Sequence, residues 1–521
     1  MSSLLLRRVR VVPLDPGPAS ARPASAGPAG AGPAGTGPAS TGLSDVLIEG
    51  GVITRVRPAG ITPASTVARP AGVREVAADG RWLIPGLWDA HVHLGQWALA
   101  SRRLDLSRTS SPEQVLALVA RAAREGQPVV GTGQRAGTWG RQVTVTELDA
   151  VSGDLPVVLV NADFHHAWLN TAALDRLGLA RRNVVVAEAE WFAAYPRVAG
   201  FECPASAGDY QRVLRDAAAR GVAGLVDFEF GAPWTDWARR WHEGCDSLRI
   251  RWSPYDGQLD SVRAAGLRTG AALPGAGADG GTDGRLTVGS LKIISDGSLG
   301  TRTAWCRQPY ADTGGFGAPS QPADELAAVI AEGRRLGLSV ATHAIGDQAL
   351  ETALAAYAAT GAGGSIEHAQ LTTGRALADL ARLGLVASVQ PAHLLDDHPT
   401  MDRVWGDRTE RCFTLRSMLQ AGVEVRLGSD APVAPLDPWL AIATAVHRGQ
   451  PGDESWHPEQ AITPTEAIVA CVDGRRIAVG QPGDVALLDA DPLAVGPAGL
   501  RSMRVALTAV AGRVVHEACS G

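Results

Sequence analysis

The 521-residue chain has no CxxC pair: its six cysteines, Cys203, Cys245, Cys306, Cys412, Cys471 and Cys519, are scattered singly. That spacing indicates neither a disulfide framework nor a thiolate zinc site, and it suits a reducing compartment, so a cytoplasmic location is expected. A long block of one charge is also missing. The 48 Lys+Arg against 54 Asp+Glu give a formal charge of −6, and without a basic run to track a phosphate backbone no nucleic-acid partner is expected. No stretch approaches the ~20 apolar residues of a membrane span. The opening Met1-Ser-Ser-Leu-Leu-Leu-Arg-Arg has too short an apolar run for a secretory signal. Gly275 to Gly284 is glycine-rich but lacks the GxGxxG or GxxxxGK[ST] context of a phosphate cradle.

What the chain does have is apolar material, 45% of its residues, which exceeds what one core absorbs, because cores stop growing near roughly 250–300 residues. Two domains are expected. Leu4 to Val12 and Val46 to Val56 alternate as strands do, the second around a Glu49-Gly50-Gly51 turn. Between them, residues 14–42 are almost wholly Pro, Ala, Gly, Ser and Thr, a composition that buries nothing and predicts a disordered insertion. The far end, with Gly483-Asp-Val-Ala-Leu-Leu-Asp489, Val505 to Val510 and Gly512-Arg-Val-Val, reads as short strands too. Residues 1–84 and 477–521 are therefore expected to share one small β-domain.

Between these ends the pattern changes to helix followed by strand. Ala323 to Leu336 carries Leu326, Val329 and Ile330 on one face and runs into Leu338-Ser-Val-Ala-Thr-His343. The unit repeats towards Ser365 to His368, Leu385 to Gln390 and Val423 to Asp430. Earlier strands are placed at Leu83 to His93, Gly224 to Phe230, Leu248 to Tyr255 and Val288 to Asp296. The class is α/β, and the count predicts a (β/α)8 TIM-type barrel over 85–476. Residues 94–221 are too many for one connection and are expected to form an insertion that roofs the site.

Asp89-Ala-His-Val-His93 ends the first barrel strand, and side chains two apart on a strand point the same way, so His91 and His93 can face one metal. Alone, HxH is a weak signal. It strengthens because His343, His368 and Asp430 also stand at the ends of later strands, and in a barrel those ends converge. Nitrogen and oxygen ligands of this mix suit Zn2+, with Mn2+, Fe2+ or Co2+ compatible with the same geometry.

Pro85-Gly-Leu-Trp-Asp-Ala-His-Val-His-Leu94, Lys292-Ile-Ile-Ser-Asp-Gly-Ser-Leu-Gly-Thr-Arg-Thr-Ala304, His343-Ala-Ile-Gly-Asp347, Ile366-Glu-His-Ala-Gln370, Gln390-Pro391 and Gly428-Ser-Asp-Ala-Pro432 together resemble the amidohydrolase superfamily. Within it the chain is similar to the YtcJ-like branch, amidohydrolase family 3, which includes N-substituted formamide deformylase. The resemblance implies that His91 and His93 bind a first metal and His343 and His368 a second or its equivalent. It also implies that Asp430 touches the metal-activated water and that Lys292 is carboxylated to bridge two metals; otherwise Lys292 stays unmodified and pairs with an acid such as Asp296. The implied activity is hydrolysis of a non-peptide carbon–nitrogen bond, amide or formamide, in a small molecule, with a homodimer as the implied assembly. An ester, lactone or phosphoester is the alternative bond, and a non-catalytic scaffold the alternative class.

A divalent ion lowers the pKa of a coordinated water from 15.7 to about 7 and polarises a carbonyl. Asp430 is the group placed to take that water's proton and pass one to the leaving nitrogen. His165 and His393 are read as substrate-binding, with His166 beside the first. Arg302 and Trp305 follow the Asp-Gly-Ser-Leu-Gly turn, where an arginine either clamps a substrate carboxylate or braces its own loop.

Overall fold

The computed structural model describes residues 3–14, 42–59, 72–136, 139–162, 164–275 and 284–518. The Pro/Ala-rich insertion expected at 14–42 thus lies, but for its two end residues, outside the described residues.

Both ends of the chain enter one sheet, in the order Arg513–Glu517, Val505–Val510, Val485–Leu488, Trp82–Pro85, Ser3–Val11, Ser44–Glu49, Val52–Pro58, with Val73–Ala77 also paired to Ser3–Val11. Alternation makes it: Leu4 and Leu6, then Val46 and Ile48, turn inward onto Leu83, Val485, Leu487 and Leu507 to form its core.

The strand expected over Leu83 to His93 is in fact two. Trp82–Pro85 belongs to this terminal sheet and Leu87–Val92 to the next one. Gly86 is the hinge, since a Cβ there would stand 2.4 Å from that of Ala223. The strand expected over Val288 to Asp296 divides likewise into Leu286–Val288 and Leu291–Ile294. Periodicity cannot see such breaks, because the apolar run continues through them.

The middle of the chain builds two parallel arcs. One holds Leu286–Val288, Arg249–Trp252, Val222–Asp227 and Leu87–Val92; the other holds Leu291–Ile294, Val340–Ala344, Gly364–His368, Val386–Val389 and Glu424–Leu427. Parallel bridges between Val92 and Ala431 and between Tyr255 and Lys292 join the arcs at both ends. Every residue of Val340–Ala344 is buried, as a strand covered on both faces requires. The helices on the outside carry ordinary start and stop signals: Gly374–Leu383 buries Ala376, Leu377 and Leu380, is capped by the Thr373 side chain accepting from the Ala376 amide, and stops at left-handed Gly384.

Within 94–221 lies a further sheet, Val186–Ala187, His166–Leu169, Val157–Asn161, Val129–Gln134 and Leu104–Asp105 in that order, with its own helices. Among the described residues no helix is long and apolar enough to cross a membrane.

Candidate metal centre

At the C-terminal ends of the parallel strands, three imidazoles crowd one carboxylate. Asp430 Oδ1 lies 3.3 Å from His91 Nε2 and 3.2 Å from His93 Nε2, while its Oδ2 lies 3.9 Å from His393 Nε2. His368 joins from the neighbouring strand end, its ring centroid 5.2 Å from that of His91 and 4.5 Å from that of His343. Two sets of donors, His91 with His93 and Asp430, and His368 with His393 and Asp430, each have their ligand atoms within 4.8 Å of one another. Backbone hydrogen bonds lock the strand ends together, from Asp430 N to His91 O at 2.7 Å and from His93 N to Ala431 O at 2.8 Å. Asp430 and His368 both have φ in the left-handed region, 56° and 69°, where the strand ends turn these side chains out of register.

Electrostatics prepare the donors for a cation. Burial, with Lys292 beside it, lowers His91 to about 4, and burial with the positive field of His343 holds His368 well below its ordinary value. Burial alone would raise Asp430, but His91, His93 and His368 hold it well below the usual carboxylate range. Neutral imidazoles at His91 and His368 beside an anionic carboxylate at Asp430 are the protonation states that ligate a divalent ion. The residues present therefore fit such an ion.

Lys292 is buried, with Nζ 3.3 Å from His91 Nε2 and 4.5 Å from the Phe228 ring centroid. It does not pair with Asp296, whose carboxylate accepts instead from the amides of Ile345, Gly346 and Trp305 and lies 3.3 Å from His343 Nε2. Burial lowers the Lys292 pKa. The Asp296 amide bonds leave no room above Gly346, where a Cβ would stand 2.0 Å from the Trp305 carbonyl oxygen. Gly346→Ala is expected to destabilise the fold by about 1–3 kcal/mol, the cost of overpacking, seen as a lower urea midpoint than that of the parent.

The donors open into a cavity of about 610 Å3 lined by His165, His166, Glu188 and Phe192 from the insertion and by Phe230, Leu299, Ile345 and His393 from the parallel sheets' loops. His165 is thus brought to the centre, its Nδ1 3.2 Å from Glu188 Oε2, and His393 lines the same space. Arg302 and Trp305 are not among the lining residues. Arg302 donates from Nε to Asp312 at 3.0 Å and from Nη1 to the carbonyls of Leu299 and Gly300. These contacts brace its own loop, one of the two roles expected of it. Trp305 acts through its backbone: its amide donates to Asp296, and its carbonyl accepts from Gln348 and Ala349.

Two buried acids close to His91 escaped the sequence reading. Glu367 Oε2 lies 2.8 Å from His91 Nδ1 and its Oε1 accepts from Ser365 Oγ at 2.5 Å, fixing the imidazole so that Nε2 faces Asp430. Asp89 Oδ1 accepts from the His91 and Ser429 amides at 3.1 and 2.9 Å, and burial pushes it up to about 6. The only signal for Glu367 was an acid inside a strand, next to a candidate ligand histidine.

A parallel α/β scaffold that gathers imidazoles and a carboxylate at its strand ends defines a metal-dependent hydrolase. Residues 74–516 match the amidohydrolase family model, and the chain belongs to that family. It is similar to the putative amidohydrolase YtcJ of Bacillus subtilis, at 26% identity over 85% of this chain and 90% of that protein. It is also similar to N-substituted formamide deformylase of Arthrobacter pascens, at 26% identity over 91% of this chain and 94% of that one. Among solved structures, an uncharacterized metal-dependent hydrolase of Pyrococcus horikoshii OT3 superposes with a TM-score of 0.73 at 25% identity, covering 95% of this chain and 99% of its own.

Proposed function

We propose that this chain hydrolyses a non-peptide carbon–nitrogen bond, of the amide or formamide type, in a small molecule. The observation that carries the reading is Asp430, an ionised carboxylate that faces His91 and His93 with one oxygen and the cavity's His393 with the other. His91, His93, Lys292, His343, His368 and Asp430 would hold one or two divalent ions, zinc first among Zn2+, Mn2+, Fe2+ and Co2+. Such an ion supplies a Lewis acid and an acidified water at neutral pH.

The rest falls to the protein's own groups. Asp430 accepts the proton of the attacking water at a carboxylate oxygen and returns it to the leaving nitrogen. Glu367 holds the His91 tautomer, and Phe230, stacked 4.9 Å over His93, keeps bulk water from that imidazole. His165 and His393 line the cavity that receives the substrate. Burial lowers the Lys292 pKa, which favours uptake of CO2 by its amine with release of a proton, and the resulting carbamate would offer a divalent ion an anionic oxygen. We read residues 85–476 as one closed (β/α)8 barrel, supported by the two bridges between its arcs. Residues 94–221 are its roof, and 1–84 with 477–521 form a composite β-domain. A cytoplasmic homodimer completes the picture.

Chelation tests the reading. Treatment with a strong chelator should abolish hydrolysis of a panel of N-substituted formamides and simple amides, and added Zn2+ should restore it. Turnover confined to esters, lactones or phosphoesters would overturn the bond assignment, and turnover indifferent to chelation would overturn the metal.

A further inference from the structure

We propose that His393 is a metal ligand, which completes with His368 and Asp430 a second coordination set beside that of His91, His93 and Asp430. The inference rests on the metal-dependent reading of the site and adds to it a donor that the family resemblance does not supply.

The local sequence places the imidazole. The strand Val386–Val389 ends at Gln390, and Pro391 starts a single 3-10 turn, Pro391–His393, that leads into the helix Leu394–Val404. Proline fixes the entry angle of that turn, so His393 is delivered over the strand ends, where its ring lies nearly parallel to that of His368, 27° apart with centroids 6.1 Å away.

Its Nε2 is buried and has no hydrogen-bond partner. A buried polar atom without a partner is rare in a folded chain and needs a reason. The nearest acid oxygen, Asp430 Oδ2 at 3.9 Å, is too far for a hydrogen bond. That separation instead suits two ligands of one ion, since donors each about 2.0–2.2 Å from a tetrahedral centre stand roughly 3–4 Å apart.

The other imidazole beside His368 is differently placed. His343 Nε2 lies 3.2 Å from the Gly297 carbonyl and 3.3 Å from Asp296 Oδ1, so it already has partners. Of the two, His393 is the one whose nitrogen lacks a partner and reaches Asp430. The carboxylate is then divided, with Oδ1 towards His91 and His93 and Oδ2 towards His393, so that one aspartate spans both sets.

Metal-free full-length protein is titrated with Co2+, read by visible absorption and by elemental analysis after desalting. The parent is expected to take two equivalents, and His393→Ala one, as His368→Ala does, with circular dichroism establishing that each variant is folded. A second variant keeps the test independent of the first: in His393→Cys, coordination adds a thiolate-to-cobalt charge-transfer band in the near ultraviolet that the parent lacks. Two equivalents in both parent and His393→Ala with no such band would overturn the proposal and leave the hydrolase reading intact, as would a parent that takes only one. A parent that takes none would overturn both.

Discussion

Asp430→Asn is expected to lower kcat/KM by about 10²–10⁴-fold with metal at saturation, the range over which a positioned general base contributes. Asparagine keeps the shape and one carbonyl oxygen, so contacts with His91 and His93 at 3.3 and 3.2 Å can persist. What disappears is the anion. His91, His93 and His368 hold this carboxyl well below its ordinary pKa, so in the parent it is ionised throughout the neutral range and available to accept a proton. The substituted amide accepts none. Metal content should fall less than in His91→Ala, because a carbonyl oxygen still ligates whereas a methyl group does not. Activity measured alongside elemental analysis separates the two effects: an active variant would remove Asp430 as the base, and equal metal loss in both variants would make it only a ligand.

Asp484→Ala is expected to cost about 3–5 kcal/mol of stability, the penalty for stripping one partner from a buried ion pair. Asp484 is 1% exposed. Arg249 grips it in a fork, Nε to Oδ2 at 2.6 Å and Nη2 to Oδ1 at 3.0 Å, Arg475 donates to the same carboxylate, and so does the Ala511 amide at 2.8 Å. These contacts tie the strand Val485–Leu488 of the terminal sheet to the strand Arg249–Trp252 of the parallel arc. Removal leaves two guanidinium groups facing each other in a region where burial already works against the charge of Arg475. The fall should appear as a lower urea midpoint with little change in activity per folded molecule. An unchanged midpoint would mean that the two sheets are held by apolar packing alone.

The donor set was largely legible in the sequence because its members stand at strand ends, where alternation and the convergence of parallel strands fix direction. His91, His93, His368 and Asp430 meet for that reason. His343 meets them only in part, its nitrogen being turned to Gly297 and Asp296. Glu367 was not legible, because nothing in a period of two says that an acid within a strand will find an imidazole from another strand, 276 positions away. The sequence leaves Arg302 two roles because a long flexible side chain is not directed by its backbone; its guanidinium meets Asp312, ten residues on, within its own loop. The strand boundaries at Gly86 and Gly289 were hidden because apolar residues continue on both sides, and only close approach of another element, Ala223 in one case and the Ser253 side chain in the other, makes a glycine necessary there. The terminal sheet, by contrast, followed from plain alternation at both ends of the chain.

Elemental analysis of protein purified without chelator measures directly whether this donor set holds metal. About two divalent ions per chain, falling to one or none in Lys292→Ala, is the result expected if the buried lysine bridges them as its carbamate. One ion unaffected by the substitution would contradict the bridged pair, and no metal in the parent would contradict the hydrolase itself.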